Sequence, residues 1–295
     1  MDVCKSLKCI SNADLSPVTK KTYLERLRYL LQNTNSDLYE ILTHPAKYLE
    51  WIKNHSSSLQ TQKSYISSIL AVFKHTTPSL KEKEQVHYYA WYTEFKKIHD
   101  EIDVRYKQNE PSLKQRKAYV AFPEIVAKRD TLKKGSKERL LLSLYTYIPP
   151  LRSDYNKVHI YNSVRDKYEY DNYVLLTDTP TLVLNEFKTK KNKEKYEKPI
   201  PIELVNELKA SLEKQPRDWV FVDRSGEPYN SGSFTKWANR TFKILFDKPL
   251  TISLIRHSFI NNLDFNRLTV QQKGEIADSM THTIGTQDRY RLIFN

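Results

Sequence analysis

The chain is short of cysteine, glycine and long apolar runs, and each shortage closes off a class of protein. Only two cysteines, Cys4 and Cys9, occur in 295 residues. That number excludes a secreted disulfide scaffold. Their spacing is no zinc pattern by itself and no Cys/His pair lies near. They read as free thiols in a loose N-terminus, which suits a reducing intracellular compartment. No apolar run approaches the roughly 18 residues that span a bilayer. The opening Met-Asp-Val-Cys-Lys-Ser has no apolar segment of the signal-peptide kind. Neither a membrane nor a secreted protein is expected. Glycine is scarce, at 5, whereas tyrosine reaches 20 and lysine is abundant, a usage that fits an A/T-rich genome. No internal repeat or long low-complexity tract occurs.

What is present is positive charge. The formal net charge is +13. Such an excess points to a polyanionic partner, chiefly nucleic acid, or reflects lysine-rich usage alone. The hydrophobic share of 39% is enough for a sizeable core. The length suits two domains or one large one.

Residues 1–14 lack periodicity and are expected to form a flexible arm. Ser16-Pro17 reads as a helix start, with serine as the cap and proline in the first turn. Tyr23, Leu24, Leu27, Leu30 and Leu31 follow at helical spacing. Further helices are expected over residues 37–42, 45–54, 58–75 and 86–104, so residues 15–104 read as a bundle of four or five helices. Residues 105–117 are basic, contain Pro111 and lack apolar periodicity, which predicts a linker. The remainder, 118–295, is mixed. Helices are expected over 136–147, 202–212, 231–245, 252–263 and 270–279. Strand-prone segments lie at 174–176, 181–184 and 200–202, with an exposed turn over 188–193 before the last. The fold class expected is mainly α with a small antiparallel β-sheet.

Four segments can carry chemistry. Arg152 follows Pro149-Pro150 at a helix end, where it either faces a ligand or pairs with Asp154 or another carboxylate. The turn at 188–193 is a solvated hairpin tip, and a lysine on such a tip can also protonate a leaving oxygen. Arg256 lies among Leu254, Ile255, Phe259, Ile260 and Leu263, an apolar stripe where a charge needs an anionic partner, carboxylate or phosphate. His257, beside it, reads equally as a structural histidine. Met280-Thr281-His282 and Tyr290 complete the set. An arginine fork grips phosphate oxygens in a bidentate way, and a tyrosine hydroxyl can attack phosphorus to form a covalent intermediate.

Taken in order, these residues resemble the tyrosine recombinase (phage-integrase-like) family. That family carries an arginine after a helix, a lysine on a β-hairpin, His-x-x-Arg, then a histidine or tryptophan and a nucleophilic tyrosine. The matches are Arg152, Lys188, Arg256, His282 and Tyr290, with Lys190 as the alternative hairpin lysine. Leu254-Ile255-Arg256-His257-Ser258-Phe259 is similar to the family's Leu-Arg-His-Thr-Phe segment. Phe187-Lys188-Thr189 followed by Pro199-Ile200-Pro201-Ile202 is similar to its lysine hairpin, and Phe221-Val222-Asp223 with Gly226 and Pro228 to the segment before the second arginine. The resemblance covers roughly residues 14 to 295. Four departures stand out, one being that Asp154 or Tyr155 must do the work of the acidic residue that commonly follows the first arginine. Ser253 occupies the histidine position of His-x-x-Arg, Met280-Thr281-His282 replaces Leu-Gly-His, and only Arg291–Asn295 follow Tyr290.

The resemblance implies an N-terminal helical DNA-binding domain and an α+β catalytic domain, together a clamp on duplex DNA. It implies a DNA strand transferase of a virus or mobile element that needs no metal, cofactor or nucleotide. Arg152 and Arg256 would clamp the phosphate and His282 would donate to it. Tyr290 would attack to give a 3′-phosphotyrosine, Lys188 would protonate the 5′-oxygen, and Ser253, His257 and Lys190 would be auxiliary. The partners implied are double-stranded DNA and three further copies of the chain, a tetramer working through a Holliday junction, with no membrane involved. Thr61, Gln62, Lys63 and Tyr65 open the helix expected nearest the DNA, or else cap and solvate that helix. A type IB topoisomerase and a catalytically inactive recombinase-derived DNA-binding protein are the alternatives. The helical N-terminal half and the histidine after Arg256 favour the recombinase.

Overall fold

Local capping signals set most helix starts in the computed structural model, which describes residues 3–76, 82–163, 172–187 and 195–294. The chain divides into two compact units, Met1–Gln108 and Asn109–Asn295.

The first unit is helical. It contains α1 (Val3–Asn12), α2 (Pro17–Thr34), α3 (Leu38–Thr43), α4 (Pro45–His55), α5 (Leu59–Thr76) and α6 (Glu82–Lys107). Ser16 accepts the amide of Thr19 with Pro17 in the first turn, and Asp37 accepts that of Glu40. Each such cap contributes about 1 kcal/mol by satisfying an amide the helix cannot. Trp91 of α6 is fully buried, and its indole N–H donates to the Leu42 carbonyl at 3.2 Å, tying α6 to the end of α3. Two expectations need correcting. Residues 3–12 form a helix rather than an arm, because Ile10 is fully buried in the unit's core and anchors it. Cys9 accordingly sits on a helix, with its sulfur 3.2 Å from the Thr76 hydroxyl. Residues 105–117 carry the end of α6 and most of α7 (Leu113–Ala118), which a Ser112/Gln115 capping box starts.

The second unit continues with α8 (Phe122–Thr131), α9 (Lys137–Thr146), a 3-10 turn (Asp154–Lys157), β1 (Val158–Tyr161), β2 (Asn172–Leu175), β3 (Thr181–Leu184) and β4 (Tyr196–Pro199). It ends with α10 (Ile202–Lys214), α11 (Ser231–Phe246), α12 (Ile252–Asn261), α13 (Val270–Ser279) and α14 (Ile284–Asp288). The mainly helical class with one small sheet holds. The sheet, in the order β1-β2-β3-β4, is mixed rather than wholly antiparallel. β2–β3 and β3–β4 pair antiparallel, as adjacent strands in a meander do, but β1 pairs parallel with β2, Val158 opposite Asn172. β1 carried no signal of its own, and it is the strand that breaks the antiparallel pattern. The last strand lies at residues 196–199, not 200–202, because Pro201 caps α10 and Ile202 begins it.

Two helices fix the site. Leu140, Leu141, Leu142, Leu144 and Tyr145 of α9 are all buried, so the helix is apolar nearly all round and runs through the core. Burying each such side chain stabilises by about 1.5–3 kcal/mol. α12 packs Ile252, Leu254 and Ile255 into the same cluster. The loop after α9 carries Arg152, and α12 carries Arg256. Among the described residues, no helix is long and apolar enough to cross a membrane.

Candidate active site

Pro149 and Pro150 end α9, since neither can donate a helical hydrogen bond. The chain then turns through Leu151 and Arg152. The Tyr145 hydroxyl donates to the Arg152 carbonyl at 2.8 Å, and the Arg152 amide donates to Asp154 Oδ2 at 3.2 Å. Asp154 therefore orients the arginine's backbone. The Arg152 guanidinium reaches 129 residues along the chain: its Nη1 donates to the Thr281 carbonyl and hydroxyl, each at 3.2 Å.

Arg256 is 1% exposed. Its Nη1 donates to the Pro150 carbonyl at 2.6 Å, and Nη2 donates to the Met280 carbonyl at 3.2 Å and to His282 Nδ1 at 2.9 Å. Its Nε is buried without a hydrogen-bond partner. Every acceptor is neutral. Among the described residues no carboxylate lies within ion-pair distance of either guanidinium. Burial lowers the Arg256 pKa, the adjacent Tyr290 raises it, the like charge of Arg152 lowers it again, and the more weakly acting charge of Asp154 raises it. A guanidinium nevertheless stays charged. A buried, unneutralised charge costs several kcal/mol, and three bonds to neutral acceptors offset that only in part. An anion between the two arginines would offset the rest.

The Arg256 bond also settles the His282 tautomer. A guanidinium only donates, so Nδ1 of His282 accepts and the ring proton sits on Nε2. His282 is thus a hydrogen-bond donor, buried at 4% exposure.

Tyr290 lies against these groups. Its ring is stacked on His282 at 5.3 Å and 22°, tilted on His257 at 4.8 Å, and 4.8 Å from the Arg256 guanidinium carbon. His257 Nδ1 donates to the Tyr290 carbonyl at 2.6 Å, which makes this ring the Nδ1–H tautomer. Burial, chiefly, and Arg256 push the His257 pKa down, against the carbonyl bond that raises it. Beyond Tyr290 the chain docks on its own unit. The Asn261 side-chain amide bonds both the carbonyl and the amide of Leu292, at 2.9 and 2.8 Å, and the Ile293 amide donates to the Asn109 carbonyl at 2.9 Å. The half-buried tyrosine is held on both sides along the backbone.

Other tyrosines near the site have structural work. Tyr145, Tyr155 and Tyr196 donate to the carbonyls of Arg152, Leu144 and Ser279. Burial first, and then the charge of Asp154 among other groups, raises the pKa of each, so all three stay protonated.

The segment before His282 is strained. Thr281 has φ +56°. Its amide donates to the Asp278 carbonyl at 3.1 Å and the His282 amide to the Ala277 carbonyl at 3.0 Å. These two bonds are the Schellman closure of α13, whose left-handed position favours glycine. A β-branched residue there costs about 1–2 kcal/mol. The other non-glycine residues with positive φ among those described are Asn35, Asn109 and Asp247, types that tolerate it.

The expected site residues therefore divide. Arg152, Arg256, His282 and Tyr290 come together, with His257 behind the tyrosine. Ser253 is exposed on α12, one turn before Arg256. Lys188 and Lys190 lie outside the described residues. In the first unit, two of the four DNA-binding candidates are buried. Gln62 is buried and donates to the Ser56 carbonyl at 2.7 Å, and Tyr65 is 1% exposed among Tyr29, Trp51 and Arg26. Neighbouring helices cover that face of α5. Thr61 and Lys63 are half-buried, with the Lys63 ammonium 5.3 Å from the Phe95 ring. Sequence reasoning missed the roles of Thr281 and Asn261, whose partners lie far along the chain or depend on a backbone angle.

No family model matches the chain, and neither does any curated protein. Among solved structures the chain is similar to the crystal structure of XerA recombinase, with a TM-score of 0.45, 14% identity, and coverage of 99% of this chain and 93% of that one. It is similar also to XerH site-specific recombinase bound to difH substrate in a pre-cleavage complex, with a TM-score of 0.44, 14% identity, and coverage of 99% and 91%.

Proposed function

We propose that the chain breaks and rejoins DNA strands as a site-specific tyrosine recombinase. The observation that carries this reading is a pair of guanidinium groups, Arg152 and the buried Arg256, with no carboxylate at ion-pair distance among the described residues, beside an oriented tyrosine. Buried positive charge met only by neutral acceptors fits an anion of phosphate size.

In this reading the arginines bind the nonbridging oxygens and neutralise the charge that grows in the transition state. His282, with its proton on Nε2, donates a further hydrogen bond. The Tyr290 oxygen bonds to phosphorus, the bond from phosphorus to the 5′-oxygen breaks, and Lys188 protonates that oxygen. A 3′-phosphotyrosine and a 5′-hydroxyl result. Attack by a 5′-hydroxyl of another strand reverses the step and restores Tyr290, so no external energy source is needed. Ser253 is a poor proton acceptor, and the tyrosine proton leaves to solvent. The net charge of +13 supplies salt-dependent affinity for the duplex. Strand exchange proceeds in a homotetramer on two duplexes through a Holliday junction.

A nicked suicide duplex that traps the covalent complex tests the chemistry. The wild-type chain is expected to form an adduct, and Tyr290→Phe to form none. An adduct that survives Tyr290→Phe would place the nucleophile elsewhere. Failure of the wild-type chain on every duplex that it binds would favour an inactive DNA-binding protein.

A further inference from the structure

The turn after α13 serves both arginines at once. Met280 and His282 accept from Arg256, and between them Thr281 offers Arg152 two oxygens, its carbonyl and its hydroxyl. The left-handed backbone at Thr281 brings these two acceptors to one side of the turn. Glycine would satisfy the backbone without strain but would leave Arg152 a single acceptor. Thr281 is 1% exposed, so its hydroxyl is committed within the protein. Among the described residues, Nε and Nη2 of Arg152 make no hydrogen bond. Within the described residues the group is thus held by one nitrogen.

We infer that Thr281 is a positioning residue for phosphate binding: its hydroxyl fixes the Arg152 guanidinium so that the unbonded edge of the fork faces the phosphate. The inference rests on the phosphodiester reading of the pocket. On this reading the hydroxyl's role offsets the strain of a threonine at a left-handed position. Stability and function should consequently respond in opposite ways when the side chain is removed.

Three variants test this, each with two measurements. The first is the thermal shift produced by inorganic phosphate, which reads the pocket without any chemistry. The second is the rate of covalent adduct formation on the nicked duplex. Thr281→Gly is expected to keep or raise the melting temperature of the unliganded protein. It should also lose most of the phosphate-induced shift and slow adduct formation about tenfold, as the loss of one hydrogen bond to a charged group does. Thr281→Val, which keeps the branched shape and loses the hydroxyl, should lose the shift to the same degree. Thr281→Ser should restore most of both signals. The inference is overturned by a glycine variant with the full phosphate shift, or by a serine variant as impaired as valine. Should the wild-type chain show a phosphate shift that Arg152→Ala removes, yet form no adduct, the strand-cleavage reading fails while the role of Thr281 is still decided by the shift. Should the wild-type chain show no shift at all, the inference falls with the anion site.

Discussion

Ser253 is the residue on which the rate of the proposed reaction turns. It stands three positions before Arg256 on α12, on the same side of the helix, and it is exposed. A serine hydroxyl takes no proton near neutral pH, so the tyrosine proton must pass to water. Ser253→His is expected to speed adduct formation about tenfold near pH 7, toward the lower end of what a positioned general base supplies. It should also flatten the rise of rate with pH that loss of a proton to solvent produces. Single-turnover rates on the nicked duplex across pH check both. A histidine variant with the wild-type rate and slope would mean that position 253 does not face the reacting tyrosine. At this scale the sequence was informative where chemistry restricts residue type. Arginine, histidine and tyrosine in a set order pointed to one site, and Arg152, Arg256, His282 and Tyr290 do meet. It was uninformative where the role depends on geometry. Nothing in Met280-Thr281-His282 reveals a positive φ, and nothing in residues 61–65 reveals that Tyr65 faces Tyr29 and Trp51.

Among elements, the segment from α12 to the tail behaves as one clip. His257 holds the Tyr290 carbonyl and Asn261 holds Leu292, two contacts from one helix to successive parts of the chain. His257 makes this clip sensitive to acid. Its pKa is lowered from the usual 6.5, first by burial and then by Arg256. Below pH 6.5 the unfolded chain takes up a proton that the folded chain refuses. Stability from this group is therefore full above the unfolded pKa and is lost as pH falls toward the lowered folded value. His257→Asn keeps a donor for the Tyr290 carbonyl and removes the titration. The melting temperature of the wild-type chain should fall more steeply than that of the variant between about pH 7 and about pH 5. Parallel curves would sink the assignment. Elements such as α2, α3 and α9 were legible because each announces itself locally, through Ser16-Pro17, Asp37 and Ser136. A cap alone did not reveal α7, which Ser112 starts, or α14, which Thr283 starts, because each is too short to show an apolar period. α1 is ordered by one buried side chain, Ile10, α14 is five residues long, and β1 is four residues long and paired parallel with β2.

On the scale of the whole molecule, the proposed chemistry and the proposed affinity belong to different parts of the chain. Arg152, Arg256, His282 and Tyr290 all lie in the second unit, which has its own core around α9 and α12. The first unit has a separate core around Trp91, Tyr48 and Tyr65. A fragment of residues 109–295 is expected to unfold in one cooperative transition, since its core is complete without the other unit. At low salt and saturating DNA it should form the Tyr290 adduct on the nicked duplex. Its affinity should be weaker and its salt dependence shallower than those of the full chain, because each lost phosphate contact lowers the slope of log K against log salt by about 0.9. Binding isotherms at several salt concentrations, beside adduct yields at saturation, separate the two effects. A folded fragment that binds but forms no adduct would show that the first unit takes part in the chemistry. A fragment with the salt slope of the full chain would show that the first unit makes no phosphate contacts. In the proposed function the partition rests on a physical distinction: long-range charge would gather the polyanion, and a few groups around Arg256 would act on one of its phosphates.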